Sequence, residues 1–348
     1  MTGAKGRTGR IGGMVFVLLA VAVLHAQQRG GTPQTDAVQP VNSGANQYRV
    51  IRDWAQLSLE ARPWGGSNGV AVDRDGTTVW AVDRCSAGTT PGCVGSTANP
   101  IHHFDASGKE IKSFGAGMFV WPHGIHVDRD GNVWVTDSRR EGDKRGTVVK
   151  FTPDGKVLLT LSGLTDPTVA ITDPKNGDVY VAESHTDVAD PNLIGRISVF
   201  DKRGKLLRRI GKTGTGPGEF RTPHGLAFDS KSRLIVADRH NHRIQILTKD
   251  GKFVREYDDF GRTSGLAIDT NDVIYTADSE STERVHPGWQ RGIRIGSLAD
   301  GKVTAFIPAH ATPNSPDGAM GEGIAIDRAG NIYTAEAQLR GVTKYVKN

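Results

Sequence analysis

Cysteine is nearly absent from this chain: Cys85 and Cys93 are the only two in 348 residues. Two thiols cannot build a multi-cysteine zinc module or a disulfide-dense scaffold. Long apolar runs are also missing. The one candidate, "MVFVLLAVAVL" (Met14–Leu24), is too short to cross a bilayer. Charge of a single sign is missing as well. Residues 1–26 carry three cations (Lys5, Arg7, Arg10) and no acid, so without them the formal charge falls from +5 to +2. That balance, with no basic run interleaved with aromatics, excludes the footprint of a nucleic-acid partner.

What is present at the N-terminus is a processing pattern. A basic start, the apolar run and "LHA" before Gln27 predict a signal peptide over 1–26, with an uncleaved anchor as the alternative. No cysteine follows the apolar run closely, so nothing supports lipoprotein processing. The expected chain is secreted or periplasmic, monomeric, and without a stable membrane anchor after cleavage. Export makes a local Cys85–Cys93 disulfide plausible, closing the loop "CSAGTTPGC". Residues 27–47 are polar and poor in large apolar side chains, which predicts a disordered leader.

Glycine is abundant, with 44 residues, and it punctuates a repeat. Six segments share one pattern: "NGVAVDRDG", "HGIHVDRDG", "TVAITDPKNG", "HGLAFDSKS", "SGLAIDTND" and "EGIAIDRAG". Each leads to a second strand ending in an acid, at Asp83, Asp137, Glu183, Asp238, Asp278 and Glu336. Further strands follow, joined by turns such as "TPDGK" and "TKDGK". Four strands per repeat over 48–348 predict an all-β fold, a six-bladed β-propeller. The sixth unit ends one strand short, and "YRVIRDWAQLSL" (48–59) can supply the missing strand and close the ring. An open six-unit solenoid is the alternative, and it leaves strand edges unpaired.

Repetition separates structure from function. The acid that ends strand two occurs six times, so its role is to accept hydrogen bonds from loop N–H groups. The residue entering strand one varies: Asn68, His123, Thr168, His224, Ser264 and Glu322. These side chains converge on the mouth of the central channel. His123, His224 and Glu322 stand in alternate blades, about 120° apart around the axis. Two imidazoles and a carboxylate suit Zn²⁺, Fe²⁺ or Mn²⁺ and leave positions open. Arg84 and Arg239 begin loops on the same face and suit a carboxylate. His185 stands at the same rim as an acid–base candidate. His126 reads as packing within its strand, and His240 and His242 as loop residues.

The repeats resemble NHL repeats, with "LIVADRHNHRIQILTKDGKFVREY" (234–257) the nearest match. The site residues resemble those of the peptidyl-α-hydroxyglycine α-amidating lyases, six-bladed NHL propellers that split an α-hydroxyglycine into an amide and glyoxylate. The resemblance implies a catalytic Zn²⁺ at His123 and His224, active-site arginines at Arg84 and Arg239, and Met320 beside substrate; Asn68, from its ring position, is a further substrate-binding candidate. Glu322 stands where that family has a third histidine, and His185 where it has a catalytic tyrosine. Gly323 replaces an acidic ligand of a structural Ca²⁺, which puts that ion in doubt. The expected activity is a metal-dependent carbon–nitrogen lyase acting on a small α-hydroxy-amide. The alternatives are a non-catalytic propeller binding a peptide or glycan on its top face, and a lactonase-like hydrolase.

Overall fold

The computed structural model describes residues 38–60, 62–85, 92–138, 146–184, 194–312, 315–337 and 341–348. The apolar run at 14–24 and His185 lie outside them. Among the described residues no helix is long and apolar enough to cross a membrane.

Six four-stranded antiparallel sheets account for nearly all the strands. Blade one runs through Val70–Val72, Val79–Val82, Ile101–Phe104 and Glu110–Phe114. Blade two begins at Pro122–Val127, blade three at Pro167–Thr172, blade four at Pro223–Phe228 and blade five at Thr263–Ile268. Blade six takes Gly323–Ile326, Ile332–Glu336 and Gly341–Lys347, and its fourth strand is Tyr48–Ile51. That closing strand pairs Tyr48 with Lys347 and Ile51 with Lys344. It is shorter than the run 48–59 suggests, because Asp53 turns the chain at positive φ.

The second strands show why the repeats fold as packed blades. In Val133–Asp137, Val179–Glu183 and Leu234–Asp238 every residue is buried. Both faces of such a strand are covered by neighbouring blades, so its sequence is a continuous apolar run instead of an alternation. Trp80 and Val82 of blade one pack with Ile125, Val133 and Phe151 of blade two. Trp54, Trp64 and Phe104 pack with Tyr333 and Val342 of blade six. Fully burying each large side chain contributes about 2–3 kcal/mol. The outer strands are half solvated; in Leu206–Ile210 only Ile210 is buried.

The strand-two acids do what their repetition implies. Asp137 accepts from the Val120 and Trp121 N–H groups at 2.8 and 2.6 Å. Asp83, Glu183 and Asp238 accept from Gly65, Thr165 and Arg221 N–H groups. Glu336 instead holds Arg52, just past the closing strand, at 3.1 Å. Cys85 and Cys93 are joined in a disulfide.

Between blades five and six a short hairpin pairs His310–Thr312 with Ser315–Ala319. One feature departs from the sequence reading. Residues 38–47 of the expected disordered leader belong to the same compact unit as the propeller. The cause is Arg294, whose fully buried guanidinium needs acceptors. Its Nε donates to the Val41 carbonyl at 2.8 Å and its Nη2 to Asn42 Oδ1 at 3.1 Å. Asn42 also accepts from Gln290 N–H at 2.9 Å.

Arg294 Nη1 lies 3.2 Å from Asp278, and neither side chain is exposed. Arg294→Met removes that countercharge and is expected to lower stability by about 3–5 kcal/mol, because it leaves a buried carboxylate unpaired. Urea denaturation measures it. A loss below about 1 kcal/mol would contradict this role.

Candidate metal centre

The backbone aims the ring residues inward. In blades two to five the pairing of strand one with strand two slips at the ring position: between Pro122 and Ile125, Pro167 and Val169, Pro223 and Gly225, and Thr263 and Gly265. A slip of this kind frees one residue from the ladder and re-aims its side chain. The glycine that follows lets the next blade come close. A Cβ on Gly124 would sit 2.5 Å from the Thr168 carbonyl oxygen, and one on Gly225 2.9 Å from that of Ser264. Gly69, Gly265 and Gly323 meet the His123, Glu322 and Asn68 carbonyls in the same way.

This approach fixes the imidazoles. His123 Nδ1 lies 2.8 Å from the Thr168 carbonyl, and His224 Nδ1 lies 3.0 Å from the Ser264 carbonyl. A carbonyl only accepts, so each Nδ1 carries the proton and each Nε2 offers its lone pair. The third member, Glu322, accepts a short hydrogen bond from Asn68 Nδ2. Each even blade thus supplies an electron-pair donor, and the next blade round holds it: three holds two, five holds four, and one holds six.

The three donors meet. His123 Nε2 is 3.3 Å and His224 Nε2 3.6 Å from Glu322 Oε2. All three donor atoms lie within 4.8 Å of one another, the one such group among the described residues. Both imidazoles are buried, and Glu322 is 15% exposed. Burial pushes the His123 pKa down, outweighing the pull of Glu322 and aided by Arg84. Burial also opposes the Glu322 charge, but His123, His224 and Arg84 together hold its carboxyl well below the ordinary carboxylate range. The His123 imidazole is therefore neutral and the Glu322 carboxylate ionised at neutral pH. Converging lone pairs and a carboxylate repel one another unless they share a proton or a cation, so the donor set fits a divalent metal. The Nδ1–carbonyl bonds are the supports that metal-ligating histidines use.

The arginines flank this ring. Arg84 is 9% exposed and lies 4.0 Å over the Trp121 ring, and its charge acts on both His123 and Glu322. Arg239 is buried, with Nη1 3.5 Å from Ser264 Oγ, beside the residue that supports His224. Below the ring lies a bore of about 360 Å³, walled by Val70, Ile125, Leu226, Leu266 and Ile324. His126 lines it, hydrogen-bonded to Thr172 Oγ1 at 2.9 Å and pushed by burial to a pKa of about 4.

Met320 is not brought to the ring. It is buried against the core between blades five and six, with its Sδ 4.0 Å from the Tyr345 hydroxyl. Two residues before Glu322, it precedes strand one and turns into the interblade layer. Gly323 leaves no room for an acidic calcium ligand, since a Cβ there would lie 2.7 Å from the Asn68 carbonyl oxygen. Sequence reasoning missed the Thr168 and Ser264 carbonyls, which no side-chain pattern displays.

Glu322→His is expected to keep the three-donor set and preserve or tighten zinc binding while the propeller stays folded. Metal content after chelator-free purification checks this. Unchanged metal content together with loss of another ligand would show that Glu322 serves something else.

Comparisons with known proteins agree with this architecture. An NHL repeat model matches residues 220–247, in blade four. Peptidyl-glycine alpha-amidating monooxygenase B of Xenopus laevis is 30% identical over 263 residues, covering 68% of this chain and 27% of that protein. A protein of Caenorhabditis elegans named "Probable peptidyl-alpha-hydroxyglycine alpha-amidating lyase" is 30% identical over 233 residues, covering 60% of this chain and 64% of that one. The chain therefore spans about a quarter of the amphibian relative's length. A chain of a nidogen/laminin complex matches with a TM-score of 0.53 at 21% identity, covering 74% of this chain and 84% of that one. A gluconolactonase from Xanthomonas campestris matches with 0.54 at 16%, covering 88% and 96%. These two likenesses establish the fold alone. The chain is a six-bladed β-propeller that carries an NHL repeat in blade four and resembles the peptidyl-α-hydroxyglycine α-amidating lyases.

Proposed function

We propose that this chain is an exported metal-dependent lyase that cleaves an N-acyl-α-hydroxyglycine, or a similar small α-hydroxy-amide, into an amide and glyoxylate. The observation that carries the reading is the convergence of His123, His224 and Glu322, with each donor fixed by the next blade. The resemblance to amidating enzymes at about 30% identity supports the same chemistry.

The reaction needs no oxidant. The hydroxyl loses its proton, its oxygen forms the aldehyde carbonyl, the C–N bond breaks, and the amide nitrogen gains a proton. His123, His224 and Glu322 would hold the metal, and a bound Zn²⁺ supplies Lewis acidity of the kind that lowers the pKa of water to ~7. Arg84 binds the substrate carboxylate on the side of His123 and Glu322, where its charge already acts. Arg239 flanks the other side, beside Ser264. Locked Nδ1–H bonds keep both imidazoles in one tautomer through the cycle. The proton acceptor assigned from sequence is His185, which lies outside the described residues.

The signal-like segment 1–26 and the disulfide, a bond that persists in oxidising compartments, support export. The ligand, a small molecule or peptide, enters from the ring face of a monomer, and neither nucleic acid nor a membrane is a partner.

Incubation of the metal-loaded chain with N-benzoyl-α-hydroxyglycine is expected to release glyoxylate. Arg84→Met is expected to raise KM at least about tenfold, from loss of a charge-assisted carboxylate contact. His185→Ala is expected to lower kcat by about 10²–10⁴ with little change in KM, as loss of a general base does. Stoichiometric metal and ligand binding without any glyoxylate release would replace this reading with a binding scaffold.

A further inference from the structure

On blades four and five, beside the ring, lies a cluster of buried charges that the cleavage step leaves unexplained. Arg262 immediately precedes the first strand of blade five, and Asp278 Oδ2 accepts its backbone N–H at 3.0 Å. Its Nη2 and Nε lie 3.1 and 3.4 Å from Glu280 Oε2. Arg239 opens a short 3-10 turn after blade four's second strand, and its Nη1 lies 3.4 Å from Glu280 Oε1. One carboxylate therefore lies between two guanidinium groups, one oxygen toward each.

The burial is unequal. The Arg239 and Arg262 side chains are 5% and 11% exposed, whereas Glu280 is 35% exposed. The contacts are also long. The cross-strand pairs Arg243–Asp238 within blade four and Arg196–Glu183 within blade three close to 2.9 Å, near the usual distance for ionised partners. Arg239 Nε is buried with no hydrogen-bond partner among the described residues.

Among the described residues the charges do not balance. Asp278 is engaged by Arg294 and Ser281, and Asp238 by Arg243, Asn241 and Gln245. His242 faces Arg262 Nη1 at 3.4 Å and stacks near His286, which lies on Trp289. Burial first, then the neighbouring arginines for His240 and His242, and His242 ahead of the arginines for His286, lowers all three pKa values, with His286 pushed down to about 3. Two buried cations and one half-exposed carboxylate leave an excess positive charge, which is costly in a buried setting unless an anion joins it.

We propose that Arg239 and Arg262 form a second anion subsite beside the ring, and that Glu280 occupies it as an internal stand-in for a ligand carboxylate. The substrate is then a dianion. Its reacting carboxylate lies at Arg84, and a second carboxylate on its acyl part enters between Arg239 and Arg262 and swings Glu280 out to solvent. This assignment rests on the reading of the ring as a site for N-acyl-α-hydroxyglycines. Glu280 then sets specificity: a mono-anionic ligand leaves it in place, and a dianionic one replaces it with better-paired oxygens.

The test compares N-glutarylglycine with N-pentanoylglycine by calorimetry. The two have equal acyl lengths, and neither has the hydroxyl that cleavage requires, so binding is read without turnover. The wild-type chain is expected to bind the glutaryl compound at least about tenfold more tightly, with the preference shrinking as salt rises. Arg262→Gln should bring the two ligands to parity. Glu280→Gln, which removes the internal competitor, should tighten N-glutarylglycine several-fold more than N-pentanoylglycine, widening the preference. Equal affinities in the wild type, or weaker dianion binding in Glu280→Gln, would overturn the proposal. If Arg262→Gln does not fold, the Glu280→Gln and salt measurements still decide. A dianion preference without glyoxylate release from N-benzoyl-α-hydroxyglycine would sink the lyase reading alone. Glyoxylate release without the preference would sink this subsite alone.

Discussion

The six inner strands approach the propeller axis so closely that the residue after the ring position has almost no room for a side chain. In five blades it is glycine, and a Cβ there would lie 2.3–2.9 Å from the carbonyl oxygen of the next blade's ring residue. That tight circle has two consequences. It brings the next blade's carbonyl within reach of an imidazole Nδ1, and it crowds six ring side chains around one opening. The metal-competent geometry is thus a product of how closely the blades pack, and the ring residues only decide what is done with it.

The circle divides its positions by parity. Blades two, four and six contribute the donors His123, His224 and Glu322, and blades three, five and one contribute their supports Thr168, Ser264 and Asn68. One repeated unit therefore serves as ligand or as buttress, depending on a single side chain. Stability resides elsewhere, in interblade layers such as that of Trp80 with Val133 and Phe151, and in closure by Tyr48–Ile51. Changes at the rim can then alter chemistry without unfolding the body.

How legible this was in the sequence follows from repetition. The ring positions could be found because each opens a recurring strand pattern, mostly as Xaa-Gly, and the acids of strand two because they recur six times. Features that occur once were harder to see. Arg262 and Glu280 sit where no other blade has a counterpart, and the supports of the histidines are backbone carbonyls. Met320 was placed by its offset from Glu322, but offset does not fix side-chain direction, and the interblade core claims it. Residues 38–47 look like a disordered leader because their side chains are polar and small. What orders them is the backbone oxygen of Val41 and the amide of Asn42, which satisfy the buried Arg294.

The central claim is that two imidazoles and one carboxylate, held by the neighbouring blades, bind one divalent metal. X-ray absorption spectroscopy of the zinc-loaded chain tests it most directly. The account predicts one zinc per chain with a first shell of nitrogen and oxygen at about 2.0–2.2 Å. Two ligands should show imidazole scattering, and one of these should disappear in His224→Ala. Sub-stoichiometric zinc, or a shell that His224→Ala leaves unchanged, would contradict it.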